Sequence, residues 1–256
     1  MSQIDWGQAQ QFRLALGLVR SPLAVYTTGK ARHFGAQNGR LPESQVERFC
    51  EYAKDWSVGT VVDRPLPLPP DWHQRTDPDA FYSNGTTRRV WGARAGDVAS
   101  CTALRLEADG VGEAADLFAV LAQQFARPTV QVLTGNRGAH FYWRLWTPIS
   151  KDQHRDLQLR LHQLANDHLP AAGWDKNIYS HARVMRLPGS WHPKTGKQVT
   201  YSEHGCFFGV EELADRLPQL RQHTPPPSPV PTPHRRPGGR GWLGDLWERD
   251  RKLSRK

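Results

Sequence analysis

Glu107 and Asp109 sit two residues apart in the stretch Leu104-Arg105-Leu106-Glu107-Ala108-Asp109-Gly110. The alternation is that of a β-strand, with Leu104, Leu106 and Ala108 on one face and Arg105, Glu107 and Asp109 on the other. Two carboxylates on one face at a strand end repel each other, and a divalent cation relieves the repulsion. A cation that also holds a nucleotide turns such a pair into a phosphoryl-transfer site. The plainer alternative is a strand end whose acids meet water or a surface arginine.

Two more groups of residues bear on the same chemistry. His140 follows the glycine turn Gly135-Asn136-Arg137-Gly138 and falls on the polar side of an alternating strand, where an imidazole can donate to a phosphate oxygen. By itself it reads equally as a half-exposed sheet histidine. Further on, Asp175 offers a third carboxylate, and Arg183, Arg186 and Lys194 surround the turn Pro188-Gly189. Arginine suits bidentate phosphate contacts, whereas lysine acts as a point charge. An ordinary basic loop would have the same composition.

The elements that must position these side chains follow from pattern. Helices are expected over residues 8–19, with Phe12, Leu16 and Val19 in phase, and 42–56, with Val46, Phe49, Cys50 and Ala53 in phase. Residues 64–70, Arg-Pro-Leu-Pro-Leu-Pro-Pro, suit a rigid connector rather than a regular element. Between 71 and 96 the chain is polar and turn-rich, with a short strand near 88–91. A strand over 102–109 is followed by a helix over 113–125 and a strand over 130–134. A hairpin turn then leads into a strand over 139–146. Ser150 and Gln153 form a capping box for a helix reaching Leu169. A closing strand at 199–201 and a helix at 210–220 complete the body. Without a regular βαβ repeat, this is an α+β fold with a mostly antiparallel sheet flanked by helices.

Charge and composition point to an anionic partner. The 256-residue chain carries a formal +9, and its sequence pI is about 9.8. The surplus is uneven: residues 224–256 hold eight basic residues against three acids, a net +5. No apolar run is long enough to span a bilayer, and the N-terminus lacks the basic and apolar regions of a secretory signal. The three cysteines, Cys50, Cys101 and Cys206, are far apart and suggest neither a disulfide framework nor a zinc knuckle. The expected location is the cytoplasm, with no membrane partner.

In sequence order, an acid-x-acid strand, a Gly-x-His hairpin strand and an acid followed by Arg-x-x-Arg-Leu-Pro-Gly and a lysine resemble the archaeo-eukaryotic primase superfamily. The similarity is to its small primase–polymerase domains from plasmids, phages and other mobile elements. It spans about 100 residues, 102–201, and Arg186-Leu187-Pro188-Gly189 with the downstream lysine is its most specific part. The resemblance implies an RRM-like catalytic core. It implies that Glu107, Asp109 and Asp175 are catalytic and hold Mg²⁺ or Mn²⁺, and that His140, Arg183, Arg186 and Lys194 bind the incoming nucleoside triphosphate. It further implies two-metal nucleotidyl transfer that makes primers on a single-stranded DNA template, with a replicative helicase as a further partner. Where the family often has a small hydroxyl residue two places before the histidine, this chain has Gly138, so that contact is missing or falls to a backbone N–H.

The resulting domain reading is a catalytic domain over 1–223, with a helical N-terminal part over 1–70 and a core over about 98–205, followed by a tail over 224–256. Seven of the twenty prolines fall between Thr224 and Arg240, which implies a disordered basic tail. A short helix over 241–256 would place Trp242, Leu243, Leu246 and Trp247 on one side. The tail reads as a solvated linker, as a template anchor through Arg235, Arg236, Trp242 and Trp247, or as a docking helix. The alternative to an enzyme is a catalytically inactive replication-initiation or single-stranded-DNA-binding module of the same fold. A rolling-circle nicking nuclease needs two histidines flanking one residue, and none of the eleven histidines is so spaced.

Overall fold

The structure is a computed structural model that describes residues 3–18, 21, 23–27, 30–34, 43–52, 56–61, 63–65, 76–81, 87–89, 98–109, 113–181 and 183–221. The chain divides into two units, Met1–Leu220 and Arg221–Lys256. All but the first residue of the second unit lies outside the described residues, and with it the tail positions Arg235, Arg236, Trp242 and Trp247.

The first unit is built on an antiparallel sheet whose two long central strands carry the motifs. Strand β7 (Val98–Ala108) pairs with β9 (Ala139–Ile149). Outward from this pair lie β8 (Val130–Leu133) and β11 (Thr200–Glu203) on one side and β4 (Arg64–Pro65) on the other. β12 (Phe207–Phe208) runs parallel to β9. Pro65 is tolerated because β4 is an edge strand, where a missing N–H interrupts no ladder. The proline-rich segment therefore begins as sheet rather than as a connector.

The expected alternation is seen, and both faces of the sheet are covered. Leu104, Leu106, Phe141, Trp143 and Leu145 pack beneath α3 (Ala114–Gln124), α4 (Lys151–His168) and α5 (Val210–Arg216). Ser150 Oγ accepts from Gln153 N at 3.3 Å and closes the capping box of α4. The opposite face, which reads as polar, is buried as well. Ala103, Val130, Val132 and Tyr142 lie in a second core with Phe12 of α1 (Trp6–Ala15), Leu16 just after it, and Val46 and Cys50 of α2 (Glu43–Tyr52).

A second sheet completes that core. β1 (Leu23–Thr27) lies between β2 (Lys30–Phe34) and β3 (Trp56–Val61), and β10 (Val184–Arg186) joins the far edge of β3. None of these four strands is predicted above. Leu23, Ala24 and Val25 are all fully buried, as are Val58 and Thr60. In β1 and β3 residues of both faces are buried, so their polar/apolar alternation vanishes and no period-2 signal remains to read. Among the described residues, the segment 1–70 therefore holds four strands, β1 to β4, besides two helices. A separate two-stranded ribbon, β5 (Thr76–Phe81) with β6 (Thr87–Arg89), spans the turn-rich region.

Candidate active site

Main-chain pairing brings the third acid to the first two. Ala108, at the end of β7, forms an isolated antiparallel bridge with Trp174. Asp175 N donates to Glu107 O at 3.0 Å, and Asp109 N donates to Gly173 O at 3.2 Å. Gly173 makes the required turn with φ +65°. Trp174 is anchored beneath, its indole N–H donating to Leu169 O at 2.9 Å. Glu107, Asp109 and Asp175 thus share one end of the central sheet.

Arg183 is ion-paired into this group. Its Nη2 donates to Glu107 Oε2 at 2.7 Å and also to Asp175 Oδ2. Burial opposes its charge, but Glu107 and Asp175 outweigh burial and raise its pKa. Asp109 has no such partner among the described residues. Its pKa is raised by burial first and then by Glu107 and Asp175, with Arg183 and Arg186 opposing. The three acids thus remain short of positive charge even with Arg183 in place.

Arg186 supplies an unused cation. It lies on β10, and its pKa is lowered by burial despite Glu107 and Asp109. Its Nη1 is buried without a hydrogen-bond partner, and no carboxylate among the described residues lies within ion-pair distance. A guanidinium held without an anion beside two carboxylates is a binding group for a ligand that carries its own negative charge. The turn after it is fixed from the N-terminus: Asp5 N donates to Gly189 O at 2.9 Å, and Trp191 Nε1 donates to Gln3 O at 3.0 Å. Gly189 has φ +84°, and a Cβ there would clash with the Asp5 carbonyl. Glycine after Pro188 is therefore a backbone requirement.

His140 stands between acids and cations. It is 3% exposed, unlike the half-exposed sheet histidine that its position would ordinarily suggest. Burial, then Arg186 and Arg183, pushes its pKa down to about 3, so it is neutral at pH 7. Its Nε2 lies 3.7 Å from Glu107 Oε1, and Tyr142 Oη lies 3.4 Å from its Nδ1.

These residues open onto one cavity of about 450 Å³, lined among others by Glu107, Asp109, His140, Arg186, Ser57 and His192. The volume suits a nucleotide-sized ligand. Asp175 and Arg183 are not among its lining residues, and Lys194 is exposed on the turn beyond His192. Sequence reasoning misses Ser57 and His192, because Ser57 lies on an unpredicted strand and His192 has no motif spacing. Gly138 also has a structural cause. A Cβ there would lie 2.9 Å from Thr134 Oγ1 and 3.1 Å from the Ala108 carbonyl oxygen. Thr134 thus places a hydroxyl at the cavity wall, where residue 138 lacks one.

Arg105 is also more than a polar-face residue. It is fully buried and pairs with Asp63 through Nη1 at 2.9 Å and Nη2 at 3.2 Å. The same Nη2 donates to Ser180 O at 2.8 Å, which ties the segment before Arg183 to β7. No sequence spacing links Asp63, Arg105 and Ser180.

Neither a protein-family model nor a curated protein matches the sequence. Solved structures do match. The AEP domain of the primase-polymerase (PrimPol) of cyanophage S-2L superposes with a TM-score of 0.63 at 20% identity, covering 85% of this chain and all of that one. The catalytic domain of primase RepB', in complex with initiator DNA, gives 0.50 at 11% identity over 82% of this chain and 90% of that one. The chain shares the α+β fold of these two primase domains. The resemblance carried by the motifs is borne out at the level of fold.

Proposed function

We propose that the protein is a DNA primase or primase–polymerase, a nucleotidyltransferase that makes primers on single-stranded DNA in the replication of a plasmid, phage or mobile element. The observation that carries the proposal is the meeting of three carboxylates from two chain segments beside Arg186, a half-buried arginine whose Nη1 is sealed from water without a partner. An all-oxygen carboxylate donor set fits hard divalent cations, and beyond the effect of burial the charges of Glu107 and Asp175 that raise the pKa of Asp109 are ones such cations would neutralise. Glu107, Asp109 and Asp175 would hold Mg²⁺ or Mn²⁺, which when bound supplies Lewis-acid stabilisation of the triphosphate and activates the attacking 3′-hydroxyl. Arg186 would bind triphosphate oxygens and offset the charge that builds on the departing pyrophosphate. Neutral His140 would offer Nε2–H to the same oxygens while Tyr142 holds the other ring nitrogen. Lys194, exposed nearby in sequence, would add a mobile point charge, and Arg183 would turn from the carboxylates to the phosphates once cations replace it.

Arg183 also supports the second reading, a DNA-binding module without turnover. A guanidinium already paired with Glu107 and Asp175 satisfies both acids without any metal. Template-directed incorporation of labelled nucleotides on an unprimed single strand, with Mg²⁺ or Mn²⁺, separates the two. Glu107→Gln and Asp109→Asn are expected to lower incorporation by roughly 1000-fold or more while DNA binding persists. Absence of incorporation by the unaltered protein on any template favours the inactive module.

A further inference from the structure

A second cluster of ligating side chains lies at the other end of β7. Cys101 Sγ and one ring nitrogen each from His154 and His181 all fall within 4.8 Å of one another. Cys101 is on β7, His154 on the first turn of α4, and His181 follows the turn after Asp175. Along β7, Cys101 is six residues from Glu107, roughly 20 Å of extended chain, so this is not the carboxylate site.

We propose that Cys101, His154 and His181 bind a transition-metal ion, Zn²⁺ being the best match, as a structural clamp. The inference does not depend on the polymerising activity. The shorter contacts of the two rings are to carbonyl oxygens, and the Arg105 Nη1 near His154 Nε2 stands farther off at 3.5 Å. His154 Nε2 lies 3.1 Å from Ala103 O, and His181 Nε2 lies 3.1 Å from Lys151 O. A carbonyl only accepts, so each Nε2 carries the hydrogen and each Nδ1 keeps its lone pair. This imidazole–carbonyl arrangement is the usual outer support of a metal-bound histidine.

Two further observations favour a ligand. His154 is fully buried, and its Nδ1 has no hydrogen-bond partner. An acceptor sealed from water without a donor is costly, and a metal ion removes that cost. Zinc with bonds of about 2.0–2.3 Å holds its ligand atoms roughly 3.3–3.8 Å apart, so the three atoms need to close by about 1 Å. One sulfur and two nitrogens select Zn²⁺ over Mg²⁺ or Mn²⁺. Asp63, whose two oxygens each accept from Arg105, also lies within hydrogen-bond reach of the Cys101 thiol. Half-buried His181 gives the ion a route in. On binding, Cys101 loses its thiol proton to solvent and no redox change occurs.

The clamp would join β7, α4 and the segment that ends in Arg183, and so would steady Arg183 against the acids. The full chain is dialysed against Zn²⁺, then against metal-free buffer, and its metal is measured by elemental analysis. A single equivalent is expected to remain, and Cys101→Ser and His181→Gln are each expected to weaken retention roughly 100-fold or more. Glu107→Gln with Asp109→Asn is expected to keep the full equivalent, which separates this site from the proposed active site. Co²⁺ loading of the unaltered chain should produce a thiolate charge-transfer band, a readout that needs no variant to fold. A chain that retains no zinc, that lacks that band, or that retains zinc equally as Cys101→Ser overturns the proposal.

Discussion

Arg183→Ala is the substitution that most directly probes the charge balance of the carboxylate group. Arg183 makes charge-assisted hydrogen bonds to both Glu107 and Asp175, whose side chains are 15% and 14% exposed, with its own at 29%. Such bonds contribute roughly 1.5–3 kcal/mol each when well shielded, and partial exposure here reduces the pair to about 2–4 kcal/mol. Removing the guanidinium also leaves three carboxylates facing one another, which adds to the loss at neutral pH. For a folded unit of this size, 1 kcal/mol moves the melting temperature by roughly 2–4 °C, so a fall of about 5–15 °C is expected in the absence of divalent ions. The decisive measurement is thermal denaturation at pH 7 across a Mg²⁺ or Mn²⁺ titration, on protein first loaded with Zn²⁺. Cations no longer compete with a resident guanidinium in the variant. They should therefore raise its melting temperature more than that of the unaltered protein and recover most of the loss. Equal shifts in the two proteins, or none in the variant, would refute the view that Arg183 stands in for a metal ion.

Other expectations follow from the same geometry. His140 is held neutral down to about pH 3 and His154 to about pH 4, whereas unfolded imidazoles protonate near their ordinary 6.5. With folded pKa values below unfolded ones, the unfolded state binds more protons, so stability is full above about pH 7 and falls as pH drops from 6.5 toward 3. Chemical denaturation at stepped pH should show this loss, and His140→Gln should flatten part of it. A pH-independent stability in this window would contradict the burial of both rings. Gly189→Ala forces a left-handed backbone position and a clash with the Asp5 carbonyl, and should cost roughly 2–4 kcal/mol. Its effect on incorporation should exceed that of an equally destabilising substitution remote from Arg186, because the turn fixes β10. Deleting residues 224–256 should weaken single-stranded DNA binding and lessen its dependence on salt by about 0.7 log units per lost phosphate contact. An unchanged slope would remove the tail from DNA binding.

The sequence by itself determined the strands and helices around the motifs. β7, β9, α3 and α4 announce themselves by alternation, by the glycine turn at 135–138 and by the capping box at Ser150, because local pattern and burial agree there. The identities of Glu107, Asp109, His140 and Arg186 were likewise legible, as their order along the chain is the motif. Tertiary structure alone decided how those side chains meet. Asp175 joins the other acids through a bridge between Ala108 and Trp174, a pairing across 66 positions that no local periodicity encodes. Arg183 could be read as a phosphate contact from its place in the motif, yet its partners in the folded chain are two carboxylates. β1 and β3 of the second sheet were invisible because strands buried on both faces lose their alternation, and Ser57 went with β3. The Asp63–Arg105–Ser180 tie and the grouping of Cys101, His154 and His181 draw on distant segments with unrelated spacings. Spacing reports only neighbours along one element, whereas contacts between elements are set by which surfaces the two cores bring face to face.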